Sequence, residues 1–349
     1  MIEGLVAAAA KIQSASDSLL RPEAIPLLDR TVWGATGALY KVLDYPKTLA
    51  DIQGARFIYL YEGTRLVGFR LLVPKAVRWK QNSYAACYHS LFIIDKKEQG
   101  KGYGKMLAEA TLKDAQSSMQ KQGLLYAFTE VGNVRSFHIK EAQGYRPIGR
   151  FFTTAFSRFF PKVSPEVRRL DVRERTAMVE RLYARYADHG LADFEYSLQP
   201  QHYFVLCQGS EIVAGVQAEL QSWVIQELEG VGGKVALKIL PHIPLVRGLF
   251  NPLDFKFLRF GNLFFKDNQA EKAHVLLESI LAMHGVKTAM GFMDKKSPLY
   301  RAFRKAGSLG PLNALTETPV DVHAYFKEIP ENDIHALQSL PLSISATDV

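Results

Sequence analysis

Cysteine is nearly absent: Cys87 and Cys207 are the only two in 349 residues. Two thiols cannot form a disulfide framework. Both lie in apolar, strand-like sequence, so buried free thiols in a reducing compartment are the expectation. There is no C-x-x-C, no H-E-x-x-H and no paired Cys/His spacing, so no metal site is expected. No run of ~18 apolar residues occurs, and no transmembrane helix is expected. The apolar stretch from Leu5 to Ala10 is short and is followed by Lys11, without the long apolar region of a signal peptide. The cytoplasm is the default expectation. Charged residues at 22% and apolar residues at 48% exclude a disordered tail protein, a collagen-like fibre and a coiled-coil rod. The net charge of +8 favours anionic partners such as phosphate-bearing cofactors, nucleic acid or acidic membrane, and fits equally a soluble protein kept off its isoelectric point.

What is present is an alternation of strand and helix signals over a length that suits two domains. Arg56 to Tyr61 and Arg65 to Val73 read as two strands joined by Glu62-Gly63-Thr64. Tyr84 to Ile94 reads as a strand, 103–121 as a helix, Leu124 to Phe128 as a short buried strand, 134–142 as a helix ended by Gly144, and Phe151 to Phe160 as a strand. Pro161 to Pro165 looks like a boundary. The second half then repeats the plan weakly. Tyr203 to Val216 echoes the hairpin around Gly63, Phe257 to Phe265 the strand ending at Ile94, Ala273 to Leu281 the helix at 103–121, and Ser297 to Gly307 the helix before Gly144. The offset drifts from 146 (Gly63 to Gly209) to 170 (Leu107 to Leu277), so about two dozen residues are inserted around Trp223 to Asp254. The chain therefore reads as two copies of one α/β unit, 1–163 and 164–349.

The sharpest feature is Gln99-Gly-Lys-Gly-Tyr-Gly104, between a strand and a helix. Glycines let backbone N–H groups approach a ligand closely. The helix N-terminus adds its dipole, and Lys101 and Lys105 add charge. Together they suit a pyrophosphate. The pattern is neither GxxxxGK[ST] nor GxGxxG, and a plain tight turn is the alternative. Asn133 is placed to cap the following helix or to bond a ligand, with Ser136 in the same first turn.

The pattern Gln99-x-x-Gly102-x-Gly104, followed by Asn133-x-x-Ser136 and then Gly144-Tyr145, resembles the GNAT superfamily of acyl-CoA-dependent N-acyltransferases. The resemblance covers about 56–160 well and 200–327 as a degenerate echo. It implies an α/β fold of two tandem GNAT-like units, each a mixed, mostly antiparallel sheet flanked by helices. It implies acetyl-CoA as acyl donor, bound in an opening between the strand ending at Ile94 and the strand 124–128. Backbone groups of Phe92, Ile93 and Ile94 would hold the pantetheine arm. N–H groups of Gly100, Lys101, Gly102, Tyr103, Gly104 and Lys105 would hold the pyrophosphate, with Asn133 and Ser136 on the other side. An amine, small or on a peptide, would attack the thioester directly, with a base for the ammonium and an acid for the thiolate. Where the family often places a tyrosine as that acid, this sequence has Lys140. It stands as a proton donor, a phosphate contact or a solvated helix lysine. Glu130 and His89 are the candidate bases. A solvated carboxylate and a satisfied strand histidine are the alternatives.

The second copy has Gln269-Ala-Glu-Lys-Ala-His274 where the glycine loop would be, and Glu271 would repel a pyrophosphate. It is expected not to bind CoA, and to supply a wall of the acceptor pocket or a homodimer surface. Leu245 to Phe250 stand as a candidate cover for that pocket. Arg168, Arg169, Arg173 and Arg175 read as a solvated face, and nucleic acid is not expected. Rival functions are a non-catalytic CoA-sensing or interaction protein, and a tandem transferase of aminoacyl or longer acyl groups.

Overall fold

The computed structural model describes residues 11–345 apart from 36, 44, 51, 53, 120, 231 and 314–317. Runs rich in aromatic and β-branched residues form strands, and amphipathic runs form the helices that cover them. The first copy runs β1 (Ile12–Asp17), α1 (Ile25–Arg30), β2 (Ala38–Val42), α2 (Tyr45–Ala50), β3 (Arg56–Glu62), β4 (Arg65–Trp79), β5 (Asn82–Ile94), α3 (Tyr103–Ser118), β6 (Gly123–Glu130), α4 (Val134–Ala142) and β7 (Arg146–Ser157). The second runs β8 (Val167–Arg169), α5 (Arg175–Arg185), α6 (Phe194–Ser197), β9 (Tyr203–Gln208), β10 (Glu211–Leu228), α7 (Gly233–Ile239), α8 (Pro244–Leu249), β11 (Phe255–Phe265), α9 (Ala270–His284), β12 (Thr288–Met293), α10 (Pro298–Lys305), β13 (Pro319–Lys327) and α11 (Glu331–Ser339). Three sequence expectations shift: the strand from Arg65 runs to Trp79 rather than Val73, the helix from 103 ends at Ser118 rather than 121, and the strand expected over Phe151 to Phe160 is β7, Arg146–Ser157.

Among the described residues the strands join one sheet in the order β1-β3-β4-β5-β6-β13-β7-β12-β11-β10-β9-β8, with β2 added against β10. The two halves of this order mirror each other. Each contains an antiparallel hairpin (β3–β4, β9–β10) and one parallel pair, β5–β6 and β11–β12. The other pairings are antiparallel. The boundary expected at Pro161 to Pro165 falls between β7 and β8, and the sheet is continuous across it. The last strand of each copy crosses over: β13 inserts beside β6, pairing Val320 with Glu130 through to Lys327 with Gly123, while β7 pairs with β12. β13 and β7 pair with each other at the centre.

The helices fill the faces. Leu107 and Ala115 of α3 are fully buried against Leu72 and Leu125. Full burial of a leucine gives roughly 1.5–3 kcal/mol, so this inward face anchors α3 and fixes where its N-terminus points. Leu276, Leu277, Ile280 and Leu281 do the same for α9. Cys87 is a buried free thiol as expected, its pKa pushed up to about 12 by burial, whereas Cys207 is only half-buried, at the end of β9.

Candidate functional site

β5 and β6 begin side by side and then part. Parallel pairing runs from Ala85–Gly123 to Tyr88–Tyr126 and stops, although the strands continue to Ile94 and Glu130. The parting coincides with a bulge in β5, where the register against β4 slips between Phe69–Ile93 and Leu71–Ser90. Leu91 sits there at φ 51°, a strained value for a branched side chain. The result is an open slot whose walls are strand edges, which an extended ligand arm can line as an added strand.

The glycine loop lies at the slot's outer end. Gly100 and Gly102 have φ of 86° and 87°, and a Cβ on either would meet nothing within 4 Å, so the backbone faces open space. Gly102 is the N-cap of the 16-residue α3, with no side-chain cap and no acid in the first turn. Helix-start N–H groups lack intrahelical acceptors. The loop is thus an uncapped positive helix end with no side chains in the way, which fits a pyrophosphate. Gly104 faces Ile139 and Phe92 across the slot. Lys105 is exposed. Lys101 is turned aside to Glu98 (2.7 Å), and with Arg65 it holds the Glu98 carboxyl down to about 2, Arg65 acting more strongly. Gln99 ties the walls together, donating to the Ile94 carbonyl (3.4 Å) and accepting from Arg135 of α4 (3.4 Å). Asn133 caps α4 by accepting from the Ser136 N–H (3.1 Å).

At the slot's inner end the structure departs from the plainest reading of Lys140. This residue is buried, 3% exposed, not a solvated helix lysine. Its ammonium donates to Thr129 and to Ser136 Oγ (3.2 Å), and pairs with no carboxylate among the described residues. Burial first, and the charge of Arg70 second, pull its pKa down to about 7. His89 is 2% exposed, with no hydrogen-bond partner for either ring nitrogen. Burial, then Arg70 and Lys140, push its pKa well below the ordinary value, so the ring is neutral. Arg70 completes the cluster: 4% exposed, its Nε unpartnered, its guanidinium 4.4 Å from the centroid of the Phe92 ring. Burial lowers its pKa to about 10. His323, on the exchanged β13, packs against Phe137 of α4 at 5.6 Å, and its pKa is also lowered, by burial and then by Lys140.

Glu130 is set apart from this cluster. It ends β6, is half-buried, and accepts from the Ala35 N–H (2.6 Å) in the segment between α1 and β2. It adds to the rise of the Tyr40 pKa, which is due first to burial and next to Tyr45. The structure thus brings the glycine loop, Phe92, Asn133, Ser136 and Lys140 around one slot. It puts His89 among the buried cations and Glu130 on the opposite side of the sheet, in the direction of β2. All line a single cleft, which continues to β10, β11, β12 and the inserted α8. Sequence reasoning missed Arg70, for which a charge inside an apolar strand was the available signal. It also missed the Leu91 bulge and His323, for which no local signal existed.

The second copy has the same slot in outline. β11–β12 pairing ends at Phe260–Gly291, and Asn262 stands at φ 48° beside a register slip. There the chain's own tail enters. Leu342 donates its N–H to Asp294 (3.0 Å) and Gly190 pairs with Pro341 and Ser343, leaving a cavity of about 30 Å3 lined by Leu342, Ser343 and Ile344. The N-terminus of α9 has Glu271 in its first turn and no glycine. Among the described residues no group of three metal-ligating side chains occurs, and no helix is long and apolar enough to cross a membrane.

Residues 27–145 match the family model described as Acetyltransferase (GNAT) family. No curated protein matches the sequence. Among solved structures, Saccharomyces cerevisiae N-myristoyltransferase with bound myristoyl-CoA is similar over 94% of this chain and 86% of its own, at 10% identity and a TM-score of 0.60. A second structure of that protein with bound myristoyl-CoA covers 91% of this chain and 80% of its own, again at 10% and 0.60. A GCN5-related N-acetyltransferase from Sphaerobacter thermophilus covers 80% and 84%, at 14% identity and 0.45. The glycine loop and parted strands lie within the residues that match the GNAT family model, and the mirrored two-unit fold of the whole chain is similar to that of N-myristoyltransferase.

Proposed function

We propose that the protein transfers an acetyl or other small acyl group from acyl-CoA to an amine, with the acyl-CoA held by the first unit alone (1–163). The observation that carries this is the parted β5–β6 pair leading from an uncapped, glycine-lined helix end. In this reading the N–H groups of 100–105 bind the pyrophosphate, the edges of Phe92 to Ile94 the pantetheine arm, and Asn133 and Ser136 flank it. The second unit (164–349) contributes a wall and no CoA site, because its slot holds residues 342–344.

A small acyl group is favoured because the inner end of the slot carries Arg70, His89 and Lys140, a polar surface that disfavours a long apolar chain. In the reaction the amine nitrogen forms a bond to the thioester carbonyl carbon and the carbon–sulfur bond breaks. Glu130 takes the proton released by the amine, and Lys140 gives its proton to the departing thiolate. With its pKa near 7, Lys140 is balanced for such a transfer at neutral pH. Arg70 keeps the charge around the sulfur positive. His89, neutral and buried, is proposed as a positioning neighbour of Lys140.

The test is acetyl-CoA binding and transfer across a panel of amines. Gly102→Glu, which puts a carboxylate on the anion cradle, is expected to abolish acetyl-CoA binding while leaving the circular dichroism spectrum unchanged, and Gly102→Ala, which carries the same backbone strain at φ 87° without the charge, is expected to bind more tightly than Gly102→Glu. Unchanged affinity would refute the cradle. Tight binding with no transfer to any amine would favour a CoA-sensing role instead.

A further inference from the structure

The cleft is far larger than its CoA end. Its volume is about 2960 Å3, against ~300–1,000 Å3 for a pocket that holds one small ligand. The excess lies away from the glycine loop, where strands of the second unit and the inserted segment line it. The lining there is aromatic. Tyr40 of β2 stacks on Trp223 of β10 (3.9 Å, 10°), Trp223 meets Phe257 edge-on (4.8 Å), and Phe255 packs on Phe257 (5.0 Å) and Phe250 (4.9 Å). Val246 of α8 lines the same end. The charged groups at this end are few: Arg259 pairs with Glu219 (3.1 Å) while its Nε keeps no partner, and Glu229 accepts from the Gly37 N–H (2.8 Å).

Two substrate parts could be apolar, the acyl chain and the acceptor. The polar groups Arg70, His89 and Lys140 stand at the acyl end of the slot. Glu130 and Tyr40 stand at the start of the aromatic end. We propose that the aromatic end holds the body of the acceptor, so that the acceptor class is a primary amine carried on a long aliphatic or aromatic body. Its amino group lies at Glu130 and its body runs over Trp223 and Phe257 beneath Val246 and Phe250. This rests on the small-acyl transfer proposed above.

The experiment has two arms. One pairs acetyl-CoA with 1-aminoalkanes of two to twelve carbons, and the other pairs ethylamine with acyl-CoAs of the same lengths. The expected result is a rise in kcat/KM of about fourfold per buried methylene on the amine arm only. Val246→Glu, which adds charge to a half-buried lining position, is expected to erase that rise while acetyl-CoA affinity stays unchanged. A flat amine arm with turnover, or a rise confined to the acyl arm, overturns the proposal. If no transfer occurs at all, small-acyl transfer fails and the cavity is still read directly. Saturable dodecylamine binding, followed by tryptophan fluorescence and lost in Val246→Glu, supports the apolar amine site, and its absence overturns it.

Discussion

Lys140 offers a stability measurement whose sign is set by the structure. Its ammonium is buried at the inner end of the slot with two hydroxyl partners and a second cation, Arg70, nearby. Its pKa is about 7 in the folded protein against 10.5 for the free side chain. Between these values the unfolded chain binds the proton and the folded chain does not, so this residue makes stability rise with pH across the interval. Below about pH 7 both states are charged and the full burial penalty applies. At about 1.36 kcal/mol per pH unit the interval amounts to about 5 kcal/mol. Lys140→Met removes the titration and keeps most of the volume, but leaves the buried Thr129 hydroxyl without its donor, a loss of about 1–3 kcal/mol. The variant is therefore expected to be about 2–4 kcal/mol more stable than the parent at pH 6, and to lose about 4 kcal/mol of that difference by pH 10. Guanidinium unfolding of both proteins at pH 6, 8 and 10 reads this directly, because other titrations cancel in the difference. A stability difference constant to within about 1 kcal/mol over that range would show that Lys140 is not a buried cation. The same variant should lose most of its transferase activity while becoming more stable at pH 6, which separates a chemical role from a structural one.

Further outcomes follow from other parts of the molecule. Because β13 closes the sheet beside β6, residues 1–163 expressed alone are expected to be insoluble or unfolded, and a cooperative, native-like thermal transition for that fragment would refute the interlock. Acetyl-CoA titration by calorimetry should give one site per chain, since residues 342–344 fill the second slot; two sites would show that the tail yields. Glu130→Gln should lower kcat roughly 100-fold or more with little change in acetyl-CoA affinity, and an unchanged kcat would remove Glu130 as the base.

Much of the fold was legible because it rests on local rules. Period-2 and period-3.6 patterns placed β3, β4, β5, α3 and α4 within a few residues, and Gly63, Gly102 and Gly144 marked turns and helix ends that only backbone geometry explains. The weak repeat exposed two copies and an insertion, because each copy must cover its half of the sheet with the same sequence of faces. The strand exchange was not legible. β6 satisfies the same hydrogen bonds with β13 as it would with any antiparallel neighbour, so nothing in the residues 123–130 names the partner.

The candidate site divides in the same way. Gln99, Gly102, Gly104, Asn133 and Ser136 pointed by themselves to the cradle proposed above, since backbone exposure and helix capping depend on residues close in sequence. Burial does not. Lys140 read as an ordinary helix lysine until β6 and β4 brought Thr129 and Arg70 against it, and its low pKa comes from lost water and a neighbouring charge 70 residues away. The proposed silence of the second unit has a local reason in Glu271 and a larger one in residues 342–344, which arrive from far along the chain. The sequence by itself determined the elements, the repeat and the place of the glycine loop, because those depend on contacts within a turn or a strand. Only the tertiary structure decided which strand closes which unit, which cations are buried, and that the cleft continues into an aromatic cavity shared by both units, because those depend on what long-range packing removes from water.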